Sequence, residues 1–370
     1  IILNMIISIQ REKLIDPLKQ MVGVSEKKQT MPILGNVLLR SGGGSLLLVA
    51  SDLEVEVSTS ISHETEDKVD TTLPARKLLD ILKSLPGSDL VKIEVNETKA
   101  VIKSGKSKFT LATLPGPEFP YKEEINEFKF TVSAPDLDGL IGQTGFSMAT
   151  QDARHFLNGM FLEVSKNKLT VVATDGHRLS MSSAETKNPT DEPVSCIIPR
   201  KCITEIKRIL TTFKDNKENM VEFMVTDREI IIKIDGFTIK SKLIEGNYPD
   251  YKKVFPESLP HKLTANKQDL KSALQRMSIL SNEQFKGVKL TLNKTDITLS
   301  TNNPSLEEGE DSIPCEYSGE NFDIGFNLSY LLEVIDVISS DNIEIQLNNA
   351  DSGCLISSND EASMNKYIIM

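Results

Sequence analysis

The sequence predicts an α+β protein built from three copies of one unit, each with two helices packed on antiparallel strands. Two observations carry that expectation. The tetrapeptides Val49-Ala50-Ser51-Asp52 and Val172-Ala173-Thr174-Asp175 match, and Leu299-Ser300-Thr301-Asn302 matches more weakly, so one stretch returns at intervals of 123 and 127 residues. Around each copy the hydrophobic pattern runs in the same order of strand, helix, paired strands, helix and further strands.

Each unit opens with a short apolar strand running into a helix: ISIQREKLIDPLKQM from Ile7, FTVSAPDLDGLIGQT from Phe130 and HKLTANKQDLKSALQRM from His261. Ser133 and Asn266 stand where a side-chain oxygen can accept a free backbone N–H, and Pro135 falls in a first helical turn, which tolerates it. Paired strands follow in GNVLLRSGGGSLLLVA, NGMFLEVSKNKLTVVA and KGVKLTLNKTDITLS, with hairpin-type residues at the tips Ser41–Gly44 and Lys166–Lys168. The second helices are LPARKLLDILKSLP, IPRKCITEIKRIL and FNLSYLLEVIDVI, followed by alternating strands such as VKIEV, KFTLATL, EIIIKI and TIKSKLI. Proline and glycine mark linkers near Pro115–Ile125 and Glu245–Pro260.

A chain of 370 residues with 39 % apolar content has the material for two or three domains. The opening run Ile1–Ile9 has no basic leader and is far shorter than the ~18 apolar residues of a membrane span, so it reads as a strand, with Met5 as the natural start. Cys196, Cys202, Cys315 and Cys354 show no C-x-x-C spacing, which predicts reduced, buried thiols and a cytoplasmic protein. The net charge of −11 argues against a surface that is basic overall, so any contact with nucleic acid must use a local face. Four of the six helices are nonetheless net positive, including Arg200–Leu210 with Arg200, Lys201, Lys207 and Arg208 against Glu205. These cations either solvate helix faces or gather phosphates on one side, and counts leave both readings open.

Some residues invite an enzymatic reading. Asp175, His177 and Ser180 could compose a triad, giving a cytosolic hydrolase or nuclease accessory protein, but no G-x-S-x-G elbow is present and a polar turn after a strand is the simpler account. Ser104-Gly105-Lys106-Ser107-Lys108 ends like a phosphate loop, yet the leading glycine position is Ala100 and the stretch joins two strands. His63, His155, His177 and His261 have no ligand spacing, and no metal or cofactor is expected.

Several longer motifs then converge: MPILGN at Met31–Asn36, PARK at Pro74–Lys77, QDARHFLNGM at Gln151–Met160, ATDGHRL at Ala173–Leu179, PRK at Pro199–Lys201, YPDYKKV at Tyr248–Val254, SNEQFKGVKL at Ser281–Leu290 and IGFNLSYLLEV at Ile324–Val334. In this order, inside a threefold repeat, they make the chain resemble the bacterial DNA polymerase III beta subunits, the sliding clamps, from about Met5 to the C-terminus. The resemblance implies the DNA-clamp fold with domains 1–125, 126–256 and 257–370, and a head-to-tail homodimer closed as a ring around double-stranded DNA. It implies a non-enzymatic, cytoplasmic processivity factor with no membrane contact. The implied partners are the DNA polymerase III alpha subunit, the clamp loader, other DNA polymerases, mismatch-repair proteins and DNA ligase. A ring holds DNA topologically, so its phosphate contacts can be weak and independent of sequence.

The same resemblance implies a pocket between the second and third domains that takes a linear partner peptide. Matching the family's motif residue by residue gives Leu157, Thr174, Gly176, His177, Arg178 and Leu179, and further along Pro249, Lys253, Val254, Asn327, Tyr330 and Met370. Aliphatic walls accept Leu or Phe anchors, each worth roughly 1.5–3 kcal/mol when buried, and Arg178, His177 and Asn327 would orient the peptide. Two such anchors plus backbone hydrogen bonds, offset by peptide ordering, give about −8 kcal/mol, a micromolar affinity suited to partners that take turns. Two positions depart from the family: Lys253 replaces an Arg fork with a point charge, and the sequence ends at Tyr367–Met370 where relatives usually continue with a Pro-Met-x-Leu tail. For DNA contact the resemblance points to Lys28, Arg76, Lys77, Gln151, Arg154, Arg200 and Lys201. For ring closure it points to Phe109 and Leu111 of the first domain against Ile279 and Leu280 of the third, although FTLAT alternates as any half-buried strand does.

Overall fold

Apolar side chains three, four and seven residues apart decide the helices. In the computed structural model, α1 (Arg11–Met21) buries Leu14, Ile15, Leu18 and Met21, and α2 (Ala75–Ser84) buries Leu78, Leu79 and Leu82. Next come α3 (Ala134–Thr144) and α4 (Arg200–Phe213), the latter burying Cys202, Ile203, Ile206, Ile209 and Leu210. The last two, α5 (Lys267–Ser278) and α6 (Leu328–Val337), bury Leu270, Leu274 and Met277, and Leu331, Val334 and Ile335. The sequence-predicted caps are in place. Asn266 Oδ1 accepts from Gln268 N and Asp269 N at 3.0 and 3.1 Å, and Ser133 Oγ accepts from Asp136 N at 3.2 Å.

The residues described are 5–25, 31–63, 67–86, 90–122, 128–187, 193–213, 218–256, 259–350, 352–358 and 364–370. They divide into two compact units, one of Ile1–Asp138, Lys187–Thr190 and Ile198–Leu243, the other of Gly139–Thr186, Asp191–Ile197 and Ile244–Met370. The first unit holds a four-stranded antiparallel sheet in the order Met5–Gln10, Leu90–Val95, Lys99–Ser104, Ser107–Ala112. Its second sheet has nine strands, and Phe237–Lys242 pairs there with Val55–Ser62 in the register Ile239 to Val57, so two sequence repeats share one sheet. In the second unit, Gly159–Ser165, Lys168–Thr174 and Arg178–Glu185 form a meander against Lys366–Ile369, which pairs on its other edge with Cys354–Ser358. Alternation along each strand sends Leu290, Leu292, Ile297 and Leu299 into a core shared with α5 and α6.

The hairpin tips form where glycine and small polar residues predict them: Gly43 and Gly44 have φ of 59° and 78°, and Lys166 has φ 54°. The phosphate-loop lookalike is a tip as well, with Gly105 at φ 54° between paired strands. Cys196, Cys202 and Cys354 are buried and form no disulfide, whereas Cys315 is only half-buried. Burial pushes the thiols of Cys202 and Cys354 up to about 12 and that of Cys315 up to about 11. Among the described residues no helix is long and apolar enough to cross a membrane.

Several of the helix cations are paired with acids inside the protein. On α4, Lys201 pairs with Asp52, Arg208 with Glu205, and Lys207 Nζ with Asp138 Oδ1 at 2.6 Å. On α5, Lys271 pairs with Asp336 at 2.7 Å and Arg276 with Asp311 at 2.5 Å. Acids distant in sequence thus neutralise much of the local excess.

Candidate functional site

The stretch Val171–Leu179 is a strand, a tight turn and the start of the next strand. Asp175 builds the turn: its Oδ1 accepts from His177 N at 2.9 Å and Arg178 N at 3.1 Å, while Thr174 Oγ1 donates to Arg178 O at 2.6 Å. Gly176 sits at φ +89°, a conformation that favours glycine. Asp52 repeats the device in the first copy, accepting from Glu54 N and Val55 N at 2.9 and 2.7 Å. In the third copy Asn303, one residue past the sequence match, plays this part and accepts from Ser305 N at 3.0 Å.

No hydrolytic triad is assembled here. The Asp175 carboxylate is taken by backbone N–H groups and by Arg178 Nε at 3.1 Å, and Ser180 Oγ is buried against Ser147 Oγ at 2.6 Å. Among the described residues no group of three or more His, Cys, Asp or Glu side chains could hold a metal ion.

Beside the turn lies a cavity of about 200 Å³. Leu157, Thr174, Gly176, Leu179, Pro249, Val254 and Met370, all matched from the family motif, line it together with Arg154, Phe156, Tyr248 and Tyr251. Its size is below that of a typical small-molecule site and suits individual side chains. Three rings brace its floor: Phe161 stacks on Tyr248 at 4.8 Å and meets Tyr251 at 6.0 Å. Tyr251 OH donates to Glu163 Oε2 at 2.7 Å, Tyr248 OH to Val172 O at 3.4 Å, and burial raises both phenols above their ordinary range. Val172, Leu179, Tyr251 and Ile368 form the packed cluster beneath.

Apart from Thr174, the polar residues matched from the family sit elsewhere. Arg178 is 8 % exposed and its guanidinium is spent inside the protein, on Asp175, on Glu333 and on Phe146 O at 2.9 Å, with the rings of Tyr330 and Phe146 at 4.5 and 5.4 Å. These contacts hold the turn. Asn327 Oδ1 caps α6 by accepting from Ser329 N at 2.9 Å and faces a different, larger groove. Tyr330 and the exposed His177 do not line the cavity, their rings facing each other at 6.5 Å. Lys253 points to solvent and pairs with Asp250 at 3.1 Å.

Arg154, expected at DNA, also lines the cavity rim. Its Nε and Nη2 grip Asp152 at 3.0 and 2.9 Å, a Cβ on Gly176 would stand 2.8 Å from its Nη2, and this pairing holds the Asp152 carboxyl down at about 2. Sequence reasoning also missed Phe156, Tyr248 and Tyr251 as wall residues, although HFLN and YPDY displayed the aromatics. Of the other DNA candidates, Arg76, Lys77 and Gln151 are exposed, Gln151 with φ 56°, while Arg200 and Lys201 are half-buried at the start of α4; Lys28 lies outside the described residues.

For the ring-closure candidates, Phe109 is half-buried and Leu111 is 9 % exposed on Ser107–Ala112, the last strand of the four-stranded sheet. Ile279 is 77 % exposed just past α5, with Leu280 half-buried beside it. Among the described residues, Glu308–Pro314 is paired along one edge only, since its strand Glu308–Tyr317 meets His261–Asn266 just at Cys315–Tyr317.

Comparison with known proteins bears directly on this arrangement. Sequence models of the DNA polymerase III beta subunit match in succession: the N-terminal domain over residues 5–123, the central domain over 131–250 and the C-terminal domain over 252–370. The beta sliding clamp of Pseudomonas aeruginosa is 41 % identical over 98 % of both chains, and that of Escherichia coli K12 is 36 % identical over 98 % of both. A crystal structure of the DNA polymerase III subunit beta from P. aeruginosa superposes with a TM-score of 0.94 at 40 % identity, covering 99 % of each chain. A sliding clamp from Bartonella birtlesii bound to griselimycin superposes at 0.93 with 34 % identity over 99 % of each.

Proposed function

The chain belongs to the DNA polymerase III beta subunit family, the beta sliding clamps, and from that premise we propose that two copies close head to tail into a ring around duplex DNA. It is a DNA polymerase processivity factor and not an enzyme: it tethers the replicative polymerase and other DNA-processing proteins to the template. We assign it three clamp domains, 1–125, 126–256 and 257–370, and a place in the cytoplasm, where the bacterial chromosome is copied.

The observation that carries the closed ring is the pair of open strand edges within one chain. Ser107–Ala112 ends a sheet and carries exposed Lys108, with exposed Lys106 at its tip, whereas the open edge of Glu308–Pro314 carries exposed Glu308 and Glu310. Among the described residues neither edge has a strand partner, so a basic edge on one copy and an acidic edge on the next can extend a common sheet. Because the two patches differ, the contact is heterologous and repeats until it closes. Phe109, Leu111, Ile279 and Leu280 supply the apolar part of that seam.

Partners dock as short peptides in the aromatic-braced cavity, where Leu157, Leu179 and Val254 take aliphatic or aromatic anchors and Arg154 meets polar groups at the rim. The clamp loader, the polymerase alpha subunit and repair proteins share it in turn. DNA is met by Arg76, Lys77, Gln151, Arg200 and Lys201, the last while paired with Asp52, with Lys28 assigned to the same set. The helices α2 and α4 both begin with a basic pair and no acid in the first turn. Cations there oppose the helix dipole by about 0.3–1 kcal/mol each, a cost that a phosphate-facing role accounts for.

The test is to load the protein on nicked circular DNA with a clamp loader and ATP, wash in high salt, and then cut the circle once. Retention on the circle and release after cutting support the ring. Equal loss by salt from circular and linear DNA overturns it.

A further inference from the structure

Leu306 is 91 % exposed, the most exposed large apolar side chain among the described residues, and it stands in the left-handed region at φ 63°. The loop that presents it is tightly built around Asn303. Asn303 Oδ1 accepts from Ser305 N and Glu307 N at 3.0 and 3.2 Å, its Nδ2 donates to Glu307 Oε2 at 2.7 Å, and Leu306 N donates to Asn303 O at 3.1 Å. The loop leads directly into the acidic open edge Glu308–Pro314. Phe285, 68 % exposed, lines the groove that Asn303, Pro304 and Glu308 also border, and Ile279 is 77 % exposed just past α5, the helix packed on that strand. Large apolar side chains exposed to water beside a strand edge that is open among the described residues mark a contact surface.

We propose that Leu306 is a contact residue between two copies of this chain, an apolar knob that covers the end of the seam where the acidic edge of one copy pairs with the basic edge Ser107–Ala112 of the next. The inference rests on the head-to-tail ring and adds to it a residue outside the four assigned to its apolar part. The occupant is a second copy because the strand continuing from Leu306 presents Glu308 and Glu310, and the complementary open edge, with Lys108 and the adjoining Lys106, is on the same polypeptide.

Dimer dissociation is measured by sedimentation on dilution of the full chain for wild type, Leu306→Asp, Leu306→Met and the pair Ile279→Ala with Leu280→Ala. Since Leu306 is exposed within one chain, its variants keep the wild-type secondary structure by circular dichroism. The expected result is a dimer Kd raised tenfold or more by Leu306→Asp, little changed by Leu306→Met, and raised further by the double variant. An unchanged Kd for Leu306→Asp beside a monomeric double variant overturns the role of Leu306 and leaves the ring standing. A wild-type chain that is monomeric throughout, or a double variant as tightly dimeric as wild type, overturns the seam and the role of Leu306 with it.

Discussion

The guanidinium carbon of Arg178 lies 4.5 Å from the ring centre of Tyr330, so a cation in the pocket turn is stacked on a side chain from helix α6. With Asp175, Glu333 and Phe146 O as further partners, Arg178 ties the turn to two other parts of the second unit. Arg178→Ala should destabilise the protein by about 2–4 kcal/mol, since it leaves two carboxylates without their cation. Arg178→Lys should recover only part of this, because a point charge cannot serve three acceptors in one plane. Urea unfolding checks both. Peptide affinity should fall in the same order, as expected of a residue that holds the pocket without touching its occupant.

Gly176→Ala should cost about 1–2 kcal/mol, since φ +89° disfavours any Cβ. The added methyl would also press on Arg154 Nη2, 2.8 Å away, and displace the rim of the cavity. Gly139→Ala is the control: it is helical with open space around it, and alanine there should be neutral or stabilising. Equal losses for the two substitutions would contradict this account.

The Asp152 pair predicts a pH window. Its hydrogen bonds with Arg154 hold the carboxyl near 2, below its ordinary 3.8. A depressed carboxyl contributes stability that is fully present above 3.8 and is lost as the pH falls toward about 2. Asp152→Asn should therefore be less stable than wild type at neutral pH, and the gap should close across that window. A gap that persists at pH 2 would assign the difference to something other than this ion pair.

The helices were legible because each buries residues at spacings that the sequence displays, and the pocket walls Leu157, Leu179 and Val254 because they lie in long motifs. What stayed hidden depends on partners far along the chain. Arg178 reads as a binding residue until Glu333, 155 positions away, is seen to hold it, and Lys201 reads as a free cation until Asp52, 149 positions away, pairs with it. Charge counts along one helix sense neighbours three or four residues distant and nothing beyond. The place of Arg154 at the cavity stayed hidden for a similar reason: QDAR reads as an exposed basic loop, and only the fold brings it over Gly176. Likewise the opposite charge of the two edges has meaning only once Ser107–Ala112 and Glu308–Pro314 are seen to pair along one edge only among the described residues.

The basic starts of α2 and α4 allow function and stability to be separated by sign. Lys77 is exposed in the first turn of α2, where the helix N-terminus disfavours a cation. A residue kept there for folding would destabilise when removed. Lys77→Ala should instead leave the unfolding midpoint unchanged or slightly raised, while the slope of log K against log salt for duplex DNA falls by about 0.9, the value of one phosphate that the variant leaves unneutralised. Adding Arg76→Ala should lower the slope by a similar further step, with a small stability loss because Arg76 Nη2 donates to Ser25 O at 3.2 Å. Such a result, with dimerisation intact, places both cations at the phosphates. An unchanged salt slope returns them to ordinary surface charge and moves the DNA contact to other residues.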